Sequence, residues 1–454
     1  MFPVLVNRVV FPLHEWAKGK PTYRRLAELE RSQWLTPEAL QALQFERVKR
    51  HLDFAYAEVP YYRELLDSHG LSPARITSPA DFARIPPLTK DILRTRFDDL
   101  QPRRRLRGVQ RLSTGGSTGQ PVTVLVDRER AAFTDATRLR AHRWFGAHMG
   151  MREIVLWGSP IELGRQDRTR AARDWLLNSQ LLSAFDLGEA ALARYAAVIR
   201  RVRPRKLYGY ASALALLAGY LSRTGGLPAA DAPRAVFTTA EPLFDFQRTA
   251  IERAFGCPAS TEYGCRDGGL VANECPDHGL HIAAEGMLVE VLPTAGAAEG
   301  SGELLLTNLD SHAMPIIRYR SGDIGALEPG TCRCGRGLPR LARVEGRRTD
   351  FLVTPSGKVM HALAVIYVLR ELPGLRSFQV VQEKLDRVLV RVVADGDLSA
   401  ALRERIVTQV TALFEGAATV EVEVVDDLST ASGKHRYVIS HVADERLGEL
   451  LGAS

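Results

Sequence analysis

Between residues 128 and 265 the chain alternates short apolar runs of strand character with longer runs of helical spacing. That alternation restricts the fold more than any other feature of the sequence. A helix over 128–146 leads to EIVLWGS (153–159), and LLSAFDL (181–187) leads to a helix over 188–201. KLYGY (206–210) precedes a helix over 211–223, and RAVFTTAE (234–241) precedes one over 243–255, before STEYG (260–264). Repeated βα units predict a parallel sheet covered by helices, because each parallel connection has to cross a face of the sheet. In such sheets ligands sit beyond the carboxyl ends of the strands. Those ends carry Tyr208-Gly209, Thr239-Ala240-Glu241 and Tyr263-Gly264-Cys265-Arg266-Asp267, so glycines and polar groups gather where a ligand is expected.

Just before this region stands STGGSTGQP (113–121). Ser113, Thr114, Ser117 and Thr118 surround Gly115 and Gly116, and Gly119 closes the run. With so little side-chain bulk, backbone N–H groups can curve around an anion, and the hydroxyls add donors suited to a triphosphate. It is not a P-loop, since no Gly-Lys-Ser/Thr ending follows. A flexible Ser/Gly linker is the plain alternative. Against it, VTVLVD (122–127) follows at once and reads as a buried strand.

The flanking regions frame this centre. Leu40, Leu43, Val48, Leu52 and Tyr56 recur at helical spacing within 37–70, Pro60 opens a second helix, and Thr89 is a plausible cap before Lys90 and Asp91. Residues 282–327 turn β-rich, through GMLVEVL, GELLLTNLD and PIIRYRSGDIGAL. After about residue 350 the order αββαβ suggests a small α+β, ferredoxin-like domain. The expected organisation is α/β: a large domain over 1–347, with a β-rich segment at about 282–345, and a small mobile domain over 348–454.

The 454 residues are 45% hydrophobic and carry a net charge of +7, which describes a globular chain with ample core. Arginine clusters at PRRRLR (102–107) and RVRPRK (201–206) come without a nucleic-acid-binding motif, so solvated surface or attraction for anionic substrates is the preferred reading. The opening MFPVLVNRVVFPLHEW is apolar but short and interrupted by Arg8. It is read as a segment packed on the domain, with contact to a membrane surface as the less favoured alternative. No stretch reaches the ~20 apolar residues of a spanning helix. Five cysteines without a signal segment argue for a reducing cytoplasm rather than disulfides.

Four soft ligands form a second constellation. Cys275 and His281 precede Cys332-x-Cys334 by about fifty residues, the last two within a tight turn, TCRCGRG. A Cys₃His set suits tetrahedral Zn²⁺ in a structural role, because no position is left open. Three buried or reactive thiols are the alternative. His278 competes as fourth ligand; His281 is preferred because it leads into a strand that would hold it.

Taken in order, these motifs resemble the adenylate-forming enzymes, most closely the phenylacetate–coenzyme A ligase branch with its capsule-biosynthesis relatives. The resemblance spans nearly the whole chain. It implies a large adenylate-forming domain with helix-covered sheets and a small C-terminal domain. It also implies activation of a small carboxylic acid by ATP as acyl-adenylate, with loss of pyrophosphate and transfer of the acyl group to coenzyme A. STGGSTGQP corresponds to the phosphate loop, Thr239-Ala240-Glu241-Pro242 to the adenine-side turn and Tyr263-Gly264 to the next one. Asp323, in Arg320-Ser321-Gly322-Asp323, corresponds to the ribose-binding aspartate. Gly346-Arg347 begins the hinge, Arg347 adding a ribose or phosphate contact, and Gly433-Lys434 brings the lysine of the mobile domain. Asp267 stands where relatives carry a Mg²⁺-binding glutamate, and Arg266 where relatives often carry Thr or Ser, or Arg in the capsule-type branch. The acid pocket would lie near Tyr208, Ala240 and Gly264. Transfer to an amine or hydroxyl in polysaccharide or natural-product synthesis is the alternative activity, and a homodimer is allowed. A non-catalytic zinc-bearing interaction protein is the third reading, disfavoured by intact Asp323 and Lys434.

Overall fold

The computed structural model describes residues 2–442 except 114–121, 158–166, 185–188, 295–298, 348–350, 357–358, 362, 371, 395, 427 and 429–436. The helix Pro37–Glu58 begins where the sequence supplies a start signal: Thr36 accepts the Ala39 N–H, and Pro37 takes the first helical position, where no N–H is needed. Thr89 caps Lys90–Thr95 in the same way through the Ile92 N–H.

Strands β1 (Gln110–Ser113) and β2 (Thr123–Val126) form an antiparallel ladder on either side of the glycine-rich run. The expected parallel sheet then follows. Strands β3 (Glu153–Trp157), β4 (Ser179–Ser183), β5 (Lys206–Tyr210), β6 (Ala235–Thr239) and β7 (Ala259–Cys265) pair in parallel in the order β4-β3-β5-β6-β7. All five residues of β6 are buried, as expected for a strand covered by helices on both faces. Ile154, Leu156, Leu207 and Val236 pack with Leu214, Leu217 and Phe255 into one of the larger cores.

From β3 the chain moves outward to β4, then returns to the other side of β3 as β5. The strand order therefore reverses between β3 and β5, which opens a crevice at their carboxyl ends. Gly209 belongs to this reversal: a Cβ there would stand 2.4 Å from the Leu156 carbonyl oxygen.

Beyond β7 the pairing turns antiparallel through β8 (Gly269–Glu274) and β9 (Leu280–Ile282). Strands β10 (Met287–Pro293), β11 (Ser301–Asn308), β12 (Ile316–Glu328) and β13 (Arg340–Arg347) complete the order β10-β11-β12-β13-β9-β8-β7-β6-β5-β3-β4 among the described residues.

The chain divides into two compact units: Met1–Leu292, Leu304–Ser321 and Ala326–Arg343 make the first, and Pro293–Glu303, Gly322–Gly325 and Val344–Ser454 the second. In the second unit a hairpin of β14 (Phe351–Val353) and β15 (Val359–His361) precedes a helix, Leu363–Arg370. Then come β16 (Leu375–Lys384), β17 (Arg387–Ala394), a helix (Ala400–Leu413), β18 (Thr419–Val424) and β19 (Val438–Ser440), with strand order β18-β17-β16-β19. The αββαβ order is present. Its sheet is mixed, since β18 runs parallel to β17 and β19 parallel to β16, a pairing that element order alone does not fix.

Candidate active site and a cysteine–histidine cluster

At the carboxyl ends of β5, β6 and β7 stands a buried carboxylate. Glu262 accepts both Nε and Nη2 of Arg138, at 3.0 and 2.9 Å, the Tyr208 hydroxyl at 2.7 Å and the Thr239 hydroxyl at 2.8 Å. Burial pushes this carboxyl up, but Arg138 and the two hydroxyls outweigh it, and the net shift is downward. Glu262 is thereby kept ionised and fixed, and it ties the helix Arg128–Trp144 to three strand ends. The Arg138 guanidinium lies 5.2 Å from the centre of the Tyr208 ring, and Trp157 stacks on Tyr210 at 4.3 Å, so the crevice has an aromatic wall. Next in sequence to Thr239, Ala240 holds a φ of +65°, a left-handed conformation uncommon for a residue with a Cβ. It turns the chain sharply and leaves Ala240 exposed, with Glu241 following.

A second turn follows β7. Asp267 is buried and accepts a hydrogen bond from the Tyr319 hydroxyl. Burial raises this carboxyl, while Tyr319 and Cys265 lower it further than burial raises it, so it stays ionised. Arg130 donates to the Asp267 and Arg266 carbonyls at 2.8 and 3.2 Å, and Asn308 donates to the Gly268 carbonyl at 2.9 Å. Arg266 donates to the Ser113 carbonyl at 2.7 Å, so the end of β1, where the glycine-rich run begins, is fastened to the turn after β7. The structure thus brings Ser113, Thr239, Tyr263, Gly264 and Asp267 into one neighbourhood of strand ends in the first unit.

Thr114, Gly115, Gly116, Ser117, Thr118, Gly119 and Lys434 lie outside the described residues, and of Arg347 only the backbone is described, at the end of β13. Asp323 is buried in β12 within the second unit. Beside it Gly322, at φ +78°, donates its N–H to Glu303 Oε1 at 3.2 Å.

Cys275, His281, Cys332 and Cys334 converge in the first unit, with one ligand atom from each and all four within 4.8 Å of one another. Cys275 Sγ and Cys332 Sγ stand 3.7 Å apart, and Cys334 Sγ lies 3.2 Å from His281 Nε2. A tetrahedral zinc with Zn–S bonds of ~2.3 Å would put neighbouring sulfurs ~3.8 Å apart, so the spacing fits a metal and not a disulfide. His281 Nδ1 lies 3.1 Å from the Leu338 carbonyl; as the donor there it leaves Nε2 with its lone pair toward the thiols. Burial lowers the His281 pKa to about 4, keeping the ring neutral, as a ligand must be. Gly279 gives the cluster its room: a Cβ there would be 2.8 Å from Cys332 Sγ and 3.2 Å from His281 Nε2. His278 takes the left-handed position of the β8–β9 turn and points to Glu274 at 3.3 Å, away from the set.

Arg138, Glu262, Arg130 and Tyr319 were not singled out in the sequence. Only Glu262 had a local signal, as an acidic residue inside a strand otherwise read as buried.

Comparison with known proteins follows this geometry. The family model of the CapK C-terminal domain matches residues 352–441. The chain is similar to protein CapK of Staphylococcus aureus, 24% identical over 416 residues covering 88% of this chain and 89% of that one. It is also similar to the phenylacetate-coenzyme A ligase of Thermus thermophilus, 28% identical over 342 residues covering 70% and 73%. Among solved structures, 2-hydroxyisobutyryl-CoA ligase in the postadenylation state in complex with 2-HIB-AMP shares the fold, with a TM-score of 0.71 and 20% identity over 94% of each chain.

Proposed function

We propose that the chain, similar to protein CapK and to phenylacetate-coenzyme A ligase, works as a phenylacetate–coenzyme A ligase-like adenylate-forming enzyme: it activates a carboxylic acid with ATP and passes the acyl group to coenzyme A. In the first step a carboxylate oxygen attacks the α-phosphorus and pyrophosphate leaves. In the second the thiol of coenzyme A attacks the acyl carbon and AMP leaves. The observation that carries this reading is the meeting of the Thr239-Ala240-Glu241 and Tyr263–Asp267 turns at the carboxyl ends of β6 and β7, with β1 fastened to the second turn at Ser113.

Charge builds on phosphate oxygens in the first step, so donors and cations aimed at them supply the acceleration. Ser113 and the following residues through Gly119 would cradle the β- and γ-phosphates with backbone N–H groups. Thr239, Ala240, Glu241, Tyr263 and Gly264 would line the adenine. Asp323 would accept the ribose hydroxyls, Arg347 would add a ribose or phosphate contact, and Lys434 would bridge the carboxylate and the α-phosphate. Magnesium would neutralise phosphate charge when bound, and the ionised Asp267 is the residue that would hold it. The Cys275, His281, Cys332 and Cys334 set would hold a structural zinc.

The test is exchange of labelled pyrophosphate into ATP with a panel of carboxylic acids, followed by addition of coenzyme A. Acid-dependent exchange, and an acyl thioester formed as AMP is released, are the expected results. Asp323→Ala should raise the ATP concentration needed for exchange about tenfold or more, the loss of a hydrogen bond to a charged group being ~1.5–3 kcal/mol. No exchange with any acid would remove the proposal. Exchange without a thioester would remove coenzyme A as acceptor.

A further inference from the structure

Residues 3–17 form one continuous helix, built from an α turn (Pro3–Leu5), a π segment (Val6–Val10) and an α-helix (Phe11–Ala17). One side is fixed to the first unit. Val6 is buried against Gly150, Phe11 packs with Leu26, Leu29, Phe133 and Leu139, and the Tyr23 hydroxyl donates to Asn7 Oδ1 at 2.7 Å. The other side carries Phe2, Leu5, Val9, Leu13 and Trp16, spaced three, four, four and three residues apart and therefore in one stripe. That stripe is bare: Phe2 is 81%, Leu13 59% and Trp16 80% exposed. Beside it the helix Asp167–Leu176 ends close enough for Arg173 to act on the charge of His14 and Lys18, and Leu177 joins the Phe11 core. It leaves Trp175 70% exposed, with Leu176 exposed next to it.

The exposed charges on this helix are basic, and the acids nearest to it, Asp135 and Asp174, are paired with Lys20 and Arg173. Within residues 2–20 the exposed charged side chains are Arg8 and Lys18, and the single acid, Glu15, is buried against Thr22 and Lys20. Gly19 and Gly108 both abut the Arg128 side chain, so the exposed basic run with Arg105 and Arg107 borders the helix end.

We propose that this face docks the protein flat on an anionic lipid surface. An apolar stripe with tryptophans and a basic rim suits the headgroup boundary, where aromatic rings and cations both settle. At fifteen residues in the helix, ~22 Å, it can lie in the interface and cannot span the bilayer. A second copy of the chain on a two-fold axis would bring Arg8 and Lys18 against an equally cationic rim, which favours lipid over self-association.

The test is flotation of the full chain with vesicles of phosphatidylcholine alone or mixed with phosphatidylglycerol, with sedimentation velocity in parallel. The chain should float with phosphatidylglycerol vesicles only, and high salt should weaken that binding. Leu5→Ser/Leu13→Ser/Trp16→Ser and Arg8→Glu/Lys18→Glu should each abolish flotation while leaving the melting curve in place, because the substituted side chains lie on the surface. Failure of the wild type to float, or flotation unchanged in the triple variant, overturns the proposal. A wild-type dimer that the triple variant dissolves overturns it as well, by making the face a self-interface.

Discussion

His51 is buried in the first unit, with both ring nitrogens lacking a hydrogen-bond partner among the described residues, and the His312 and Phe54 rings pack around it at 5.5 and 6.5 Å. Burial first, then His312 and Arg47, lowers its pKa to about 3. The unfolded chain takes up a proton near pH 6.5, whereas the folded one does so only near pH 3. The stability contributed by the neutral ring is therefore complete above the unfolded value and is lost as pH falls through that window. Between pH 7 and about pH 5 the wild type should lose ~2 kcal/mol more than His51→Phe in urea unfolding, at ~1.4 kcal/mol per pH unit. Equal losses would mean that His51 is solvated or already charged in the fold. The Cys₃His set was legible at this scale, because four soft ligands announce a metal site by type and spacing. Glu262 was not. Its partner Arg138 lies 124 residues back, and no local pattern joins a strand acid to a helix arginine at that distance.

Elements were read most securely where periodicity and punctuation agree. Pro37–Glu58 carries the expected stripe and stops before the helix that Pro60 opens, and KLYGY, bounded by a helix on each side, emerged at its expected limits. The three-residue β9 and the π segment at Val6–Val10 carry too few residues to display a period; tertiary contacts define them instead. Strand β9 matters because the β8–β9 turn meets the 332–334 turn at the cysteine cluster. Metal bound there would close a loop of about fifty residues and so stabilise the first unit. The protein purified without chelator should contain one zinc per chain, and Cys332→Ser/Cys334→Ser should contain none. Gly279→Ala keeps every ligand but places a methyl 2.8 Å from Cys332 Sγ and 3.2 Å from His281 Nε2, so it should also lower the metal content. Elemental analysis of the three proteins decides the matter. Full zinc in the double serine variant would assign the metal elsewhere.

At the scale of the molecule the alternation over 128–265 was enough to predict a parallel, helix-covered sheet. It did not predict the antiparallel continuation through β8 and β9 to β13, because short β-rich segments pair by register and burial, which no local pattern records. The two-part organisation has a functional consequence that we propose on the family resemblance. Lys434 stands outside the described residues, in a Gly-Lys stretch of the second unit. If the second unit pivots near Thr349-Asp350, one orientation would bring Lys434 to the carboxylate and α-phosphate, and another would withdraw it and admit the acyl acceptor. Lys434→Ala should then slow adenylate formation by two or more powers of ten, each tenfold costing ~1.4 kcal/mol. Transfer from a chemically prepared acyl-adenylate to coenzyme A should remain near the wild-type rate, since the lysine takes no part in that orientation. Single-turnover measurements of the two half-reactions separate the cases. A solvated lysine on a C-terminal loop would leave both rates unchanged. Equal damage to both would point to one fixed active site that performs adenylation and transfer without rotation of the second unit.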